Sequence, residues 1–248
     1  MSFLDFVTWA ALACLPLFIA LDLVYKARQY DTPRFWRVRA LAVTLLAIAL
    51  SFALPMAWAK VIGDFAIFQL SALGTWWGAL VGILVYEFCH YWYHRSVHRS
   101  DFLFRAFHQM HHSSESLDAW SAYYIAPTDA AMFISIGTLV FGPLLGLAPE
   151  AAAVANLFLT FNAFFQHANI RTPAWIGYII QRPESHGVHH ERGVHRYNYS
   201  DLPLWDMLFG TFENPRQFDQ ACGFGPEREV QLPAMLLGRD VNAPRRHE

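Results

Sequence analysis

Charge is what this sequence has least of. Only 15% of its 248 residues are Asp, Glu, Lys or Arg, where a soluble domain carries about a quarter. Cysteine is scarce too: Cys14, Cys89 and Cys222 stand far apart with no CxxC pair, which argues against a disulfide framework and an iron–sulfur site. No GxGxxG or GxxxxGK(S/T) string occurs, so no built-in nucleotide site is visible. HExxH is missing, and with it the signature of a zinc protease. A net charge of −2 gives no reason to expect nucleic acid. No repeat of fixed period and no low-complexity linker divides the chain. The N-terminus lacks the positive n-region of a secretory leader and carries Asp5.

What is there instead is apolar. Hydrophobic residues make up 55% of the chain and the mean hydropathy is +0.23, with the apolar residues grouped in blocks. A bilayer-spanning helix needs roughly 20 mostly apolar residues. The first candidate runs from about Phe3 to Tyr25, and the second from about Val38 to Ala59. A third begins near Phe65 and stays apolar to about Tyr86, where it meets Glu87 and a run of histidines. A fourth and fifth, 130–147 and 151–165, form a hairpin broken by Gly142, Pro143, Gly146 and Pro149. The expected fold is all-α: a polytopic membrane protein of about four to five membrane helices with a cytoplasmic helical cap. Residues 1–64 read as N-terminal membrane helices, 65–214 as a membrane domain that carries the histidines, and 215–248 as a polar tail.

Basic residues beside the spans set the orientation. Lys26, Arg28, Arg34, Arg37 and Arg39 lie between the first two spans against a single Asp31, so that loop is expected in the cytoplasm. Threading onward brings every histidine-rich segment, and the C-terminus, to the same side.

Eleven of the twelve histidines fall into a few stretches. His90, His94 and His98 follow the third span. His108, His111 and His112 form HQMHH, His167 follows the fifth span, and His186, His189 and His190 form HGVHH, with His195 close behind. Chance would supply about 0.03 HxxHH strings at this histidine frequency; two occur. Residues three and four apart share a helix face, so each string can offer two imidazoles to one ion and its third to another. Neutral imidazole suits iron, copper, zinc and nickel. More than four clustered histidines exceed one tetrahedral site, which points to two ions. The expected ligands are His94, His98, His108, His111, His112, His167, His186, His189 and His190. His90 and His195 are expected as ligands or as outer partners, and His247 as a solvated tail residue. Metal-bound histidines usually donate their other N–H to a carboxylate or carbonyl; Glu87 is the first candidate, followed by Asp129, Glu184 and Asp206. Phe102, Phe104, Phe107, Trp120, Tyr123 and Tyr124 read as an aromatic belt or the mouth of a lipid site. Arg95, Arg99 and Arg105 read as anchors or as a dock for an anionic group.

In order, HRSVH, FHQMHHS, FQHANI, ESHGVHH and NYSDLPLWDMLFGTF resemble the fatty acid hydroxylase/sterol desaturase superfamily over roughly Glu87 to Asn214. The WDxxFGT element (Trp205, Asp206, Phe209, Gly210, Thr211) is about as telling as the histidine boxes. The resemblance implies an O2-dependent diiron membrane oxidoreductase that hydroxylates a lipid, with zinc as a substituted metal in purified material. His94 and His98 match the first box, His108, His111 and His112 the second, His186, His189 and His190 the third, and His167 a further ligand position. Many members carry His-Pro downstream of the second box, where this chain has Ala126 before Pro127. No HPGG-type cytochrome b5 segment is present, so electrons are expected from a separate ferredoxin or cytochrome b5-type donor with its reductase. A lipid desaturase of the same family is the alternative, and a membrane metal-binding or transport protein is the rival of another class. A transporter would hold its ion at the midplane of the spans, whereas these histidines are expected past the helix ends.

Overall fold

The structure is a computed structural model that describes residues 1–194 and 196–242. His195 and His247 lie outside the described residues. Its helices are α1 (Phe3–Val24), α2 (Trp36–Ile62), α3 (Gly74–Arg99), α4 (Asp101–Leu103), α5 (Gln109–Ser113), α6 (Pro127–Leu139), α7 (Pro149–His167), α8 (Pro183–His189), α9 (Pro203–Phe209), α10 (Pro226–Glu229) and α11 (Leu232–Leu236). A π-type turn, Phe104–His108, joins α4 to α5. Among the described residues the only β pairing is an isolated bridge between Glu191 and Cys222.

Local chemistry sets many of the helix boundaries. Ser2 caps α1 in a reciprocal box with Asp5, which satisfies two of the orphan N–H groups at a helix start. Proline opens α6, α7, α8 and α9, where its missing N–H costs nothing and its φ is already helical. Gly210 closes α9 in the left-handed conformation.

Four segments are long and apolar enough to cross a membrane: α1, α2, Leu70–Arg99 and Pro127–Leu144. The chain is therefore an integral membrane protein, because water offers no way to cover that much apolar helix surface. The expected fifth span, α7, forms as 19 helical residues but carries Asn156, Asn162 and Gln166. It is held from two sides, against α3 and α1. The third span differs from expectation. Its helix begins only at Gly74, after a short turn (Leu70–Leu73), and continues unbroken to Arg99. Glu87, His90, His94 and His98 are thus on one helix, with His94 and His98 in its last two turns and not past its end.

Packing orders the long helices as an arc. α3 is central, flanked by α7 and α6; α1 lies against α7, and α2 against α6. Gly78 and Gly82 let α3 approach the hairpin: a Cβ would stand 2.8 Å from Ala151 at the first and 2.8 Å from Leu147 at the second. Small residues one turn apart are the usual means of close helix approach in lipid. Phe18 of α1 packs against Phe161, Phe164 and Phe165 of α7. Trp58 of α2 donates to the Ser135 hydroxyl of α6.

The segment expected as a polar tail is packed as far as it is described. Phe224, Met235 and Val241 are buried in one cluster with Trp36, Ala40, Met110 and Tyr124. It therefore braces the second histidine box through Met110.

Candidate metal centre

The nine histidines matched to the boxes and to the position after α7 gather into two groups. His94, His98, His108, His112 and His189 form the first, and His111, His167, His186 and His190 the second. In each group the donor nitrogens lie within 4.8 Å of one another. Helical register divides the boxes between them. His108 and His112, four apart, enter the first group and His111 the second; His186 and His190 enter the second group and His189 the first. The rings of His112 and His190 stack at 4.3 Å where the groups meet.

The outer nitrogens fix which atom faces inward. His94 Nδ1 donates to the Tyr199 carbonyl at 2.7 Å, and His189 Nδ1 to the Tyr197 carbonyl at 2.8 Å. His108 Nδ1 meets the Asp129 carboxylate at 2.6 Å, and His167 Nδ1 donates to the Ala163 carbonyl at 2.8 Å. Carbonyls only accept, so these Nδ1 atoms carry the proton and Nε2 is left as a bare lone pair. Yet His94 Nε2 lies 2.9 Å from His108 Nε2, and His112 Nε2 lies 3.1 Å from His189 Nε2. In the second group His167 Nε2 is 3.2 Å from both His111 Nε2 and His186 Nε2, and His186 Nε2 is 3.0 Å from His190 Nε2. In the His94–His108 pair both Nε2 atoms present lone pairs, which repel unless a cation stands between them. Two nitrogens bound at right angles to one ion at about 2.1 Å stand about 3.0 Å apart, so the spacing fits a metal with imidazole ligands. The donor set suits iron or zinc equally well.

Burial keeps the imidazoles neutral, the form that binds metal. The pKa values of His111, His112, His186 and His190 are all held well below the ordinary histidine value, first by burial and then by the neighbouring imidazoles.

The acids expected as outer partners separate. Asp129 reaches His108 and also accepts from the Tyr93 hydroxyl. Asp206 accepts from the Tyr199 and Ser200 amides and from the Ser200 and Thr211 hydroxyls, and so fixes the loop whose Tyr199 carbonyl holds His94. Glu87 bonds to the Asp201 and Leu202 amides and lies 3.5 Å from His90. Glu87, His90 and Asp201 form a separate buried trio, although His90 also stacks on His94 at 5.5 Å. Glu184 bonds to Thr172 and pairs with Arg182. Residue types could not announce the carbonyls of Tyr197, Tyr199 and Ala163. Asp201 was within reach, standing in the NYSD string beside the WDxxFGT element. Phe218 packs so closely on Gly187, the second residue of HGVHH, that any Cβ there would strike its ring.

The expected aromatic belt or mouth does not assemble as one feature. Phe104, Trp120 and Tyr124 pack into the core, Tyr123 lies against Phe164, and Phe102 is exposed. Arg95 donates to the Tyr91 hydroxyl, and Arg105 faces Asp240 at 3.9 Å. Beneath the histidines lies a cavity of about 650 Å³. His94, His108, His111, His167 and His186 line it, together with residues of α1, α2, α6 and α7, Tyr86 and His90 of α3, and the loop from Asn198 to Asp201.

A family model described as fatty acid hydroxylase matches residues 79–211. The human alkylglycerol monooxygenase is 34% identical over 146 residues, 56% of this chain and 31% of that protein. Sphinganine C4-monooxygenase 1 of Arabidopsis thaliana is 24% identical over 137 residues, 54% of this chain and 53% of that protein. A very-long-chain aldehyde decarbonylase of Oryza sativa subsp. indica is 27% identical over 140 residues, 53% of each chain. The chain thus spans about a third to a half of the length of these relatives. No solved structure matches.

Proposed function

The chain belongs to the fatty acid hydroxylase family, and from that premise we propose that it is a two-iron oxidoreductase that hydroxylates a lipid C–H bond with O2. The observation that carries this reading is the pair of histidine groups opening onto one cavity. Names of relatives that are monooxygenases of alkylglycerols and sphinganine support a lipid substrate.

When bound, the irons supply activation of O2 for attack on an unactivated C–H bond, drawing two electrons from a separate donor. The first ion would be held by His94, His98, His108, His112 and His189, and the second by His111, His167, His186 and His190. The chain's own work is ligation and placement. Tyr199, Tyr197 and Ala163 carbonyls and Asp129 lock the imidazoles in the tautomer that turns Nε2 inward. The apolar part of the cavity keeps water away and holds the substrate carbon beside the histidines, which lowers the entropic cost of reaction.

The histidine end and the C-terminus are assigned to the cytoplasm. Support comes from the basic loop after α1: Ala27 and Arg28 bond to Asn169, two residues beyond His167, and a loop so rich in Lys and Arg favours that side. The electron donor, ferredoxin-like or cytochrome b5-like with its reductase, would approach there.

Metal analysis of purified protein, joined to lipid profiling of cells with and without it under ¹⁸O2, tests the proposal. Two irons per chain and an ¹⁸O-labelled lipid are expected. An unlabelled alkene would shift the reading to desaturation. Metal flux across vesicles without any O2-dependent product would replace the enzyme by a carrier.

A further inference from the structure

The order of the long helices leaves one seam open. Along the arc α1, α7, α3, α6, α2, each helix packs on its neighbours, but among the described residues the two ends, α1 and α2, share no extended packing. Both nevertheless wall the cavity: Val7, Ala11 and Leu15 from one side, Ala47 and Ile48 from the other. Thr8 on α1 and Ser51 and Phe52 on α2 line the cavity and are also exposed. The cavity therefore reaches the outer surface of the bundle between these two helices.

We propose that this seam is a lateral portal through which the alkyl or acyl chain of a bilayer lipid enters. The proposal rests on the lipid-oxidising reading and adds to it the route by which the substrate enters. The occupant follows from what surrounds the seam. Trp9, Leu17, Leu45 and Met56 are exposed on the same two helices, a surface that faces hydrocarbon in a membrane. The cavity is long. Asp22 marks the histidine level of α1, because its carboxylate accepts from the Ala119 and Asn169 amides. Val7 lies fifteen residues before it, about 20 Å at helical rise. A flexible chain of that reach fits such a slot end-on, with its reactive carbon at the histidines. Both helices precede residue 79 and lie outside the stretch matched by the family model. The seam is thus walled by the part of the chain that the family match does not cover, while the α6 and α7 walls of the cavity lie within it.

A palmitic acid analogue carrying a diazirine, presented to the full chain in phosphatidylcholine nanodiscs, tests the portal. Cross-links at Ala11, Leu15 and Ile48 are expected to exceed those at Trp9 and Leu45 by at least about tenfold. Thr8→Trp with Ser51→Trp, both at exposed positions, should lower the cavity cross-links by a similar factor and leave iron content and outer-face labelling unchanged. Equal labelling inside and outside, or cavity labelling that ignores the two tryptophans, overturns the portal. So does a second copy of the chain cross-linked across the seam through Thr8→Cys. Labelled α1 and α2 without any oxidised lipid would overturn the proposed activity and leave the portal standing. Oxidised lipid without labelled α1 and α2 would do the reverse.

Discussion

The two histidine groups are built from the same boxes, yet they are held differently. In the first, His94, His108 and His189 each meet an outer partner: Tyr199, Asp129 and Tyr197. Two of its members ride on α3, a continuous membrane helix. In the second, His167 meets the Ala163 carbonyl, whereas Nδ1 of His186 finds no hydrogen-bond partner. The short helices α5 and α8 serve both groups, giving His112 and His189 to the first and His111, His186 and His190 to the second, so the difference lies in the outer partners and in α3. Preorganisation is therefore greater in the first group, and a metal there should be bound more tightly.

Removing a ligand is the harshest way to break the comparison. His108→Ala and His111→Ala should each lower lipid oxidation by more than about a hundredfold, beyond what loss of an outer partner costs. Each should remove one metal per chain while membrane insertion persists, measured by metal analysis of the extracted protein. Unchanged activity in His111→Ala would remove it from the ligand set. Asp129→Asn sharpens the contrast from the other side. It should weaken the first site about 10- to 100-fold in a metal titration and leave the second nearly as it was. Graded chelation should then empty the second site first in the natural chain, and the first site first in Asp129→Asn.

Acid should act on the metal-stripped protein. His111, His112, His186 and His190 have folded-state pKa values held well below the ordinary 6.5. Below about pH 6.5 the unfolded chain takes up protons that the folded chain refuses, so stability falls as pH falls through that point. Melting temperature should accordingly decline from pH 7.5 to 5.5; a flat profile would mean these rings are not buried as neutral imidazoles. The smallest effect is expected at Glu184, which bonds to Thr172 and Arg182. Glu184→Gln should cost about 1–2 kcal/mol of stability and leave the metal count at its natural value.

Which parts were legible in the sequence follows the range of the interactions. HxxHH spacing is a local property of helices, and it already implied that one box could serve two ions. Apolar runs are local too, and α1 and α2 match them within a few residues. Other features depend on distant contacts. Glu87 stood on the right helix turn to serve His94, but it is taken by amides 114 and 115 residues away. Phe224 and Met235 looked like scattered apolar residues in a tail until Trp36 and Met110 covered them. Carbonyl partners belong to every residue type, so no alphabet could mark Tyr197 or Tyr199 in advance.

The arc of helices also bears on how the protein is made. The helices α1 and α2 become the two ends of the arc, and they leave the ribosome before α7 and α6, the surfaces they rest on. They must wait in the bilayer alone, and their near-absence of charge suits them to it. α7 has the opposite problem, since Asn156, Asn162 and Gln166 would make it a poor solitary span. It is translated after both α1 and α3 are in place to receive it, so a substitution that weakens Phe18 against α7 should surface as a biogenesis defect before it surfaces as a catalytic one.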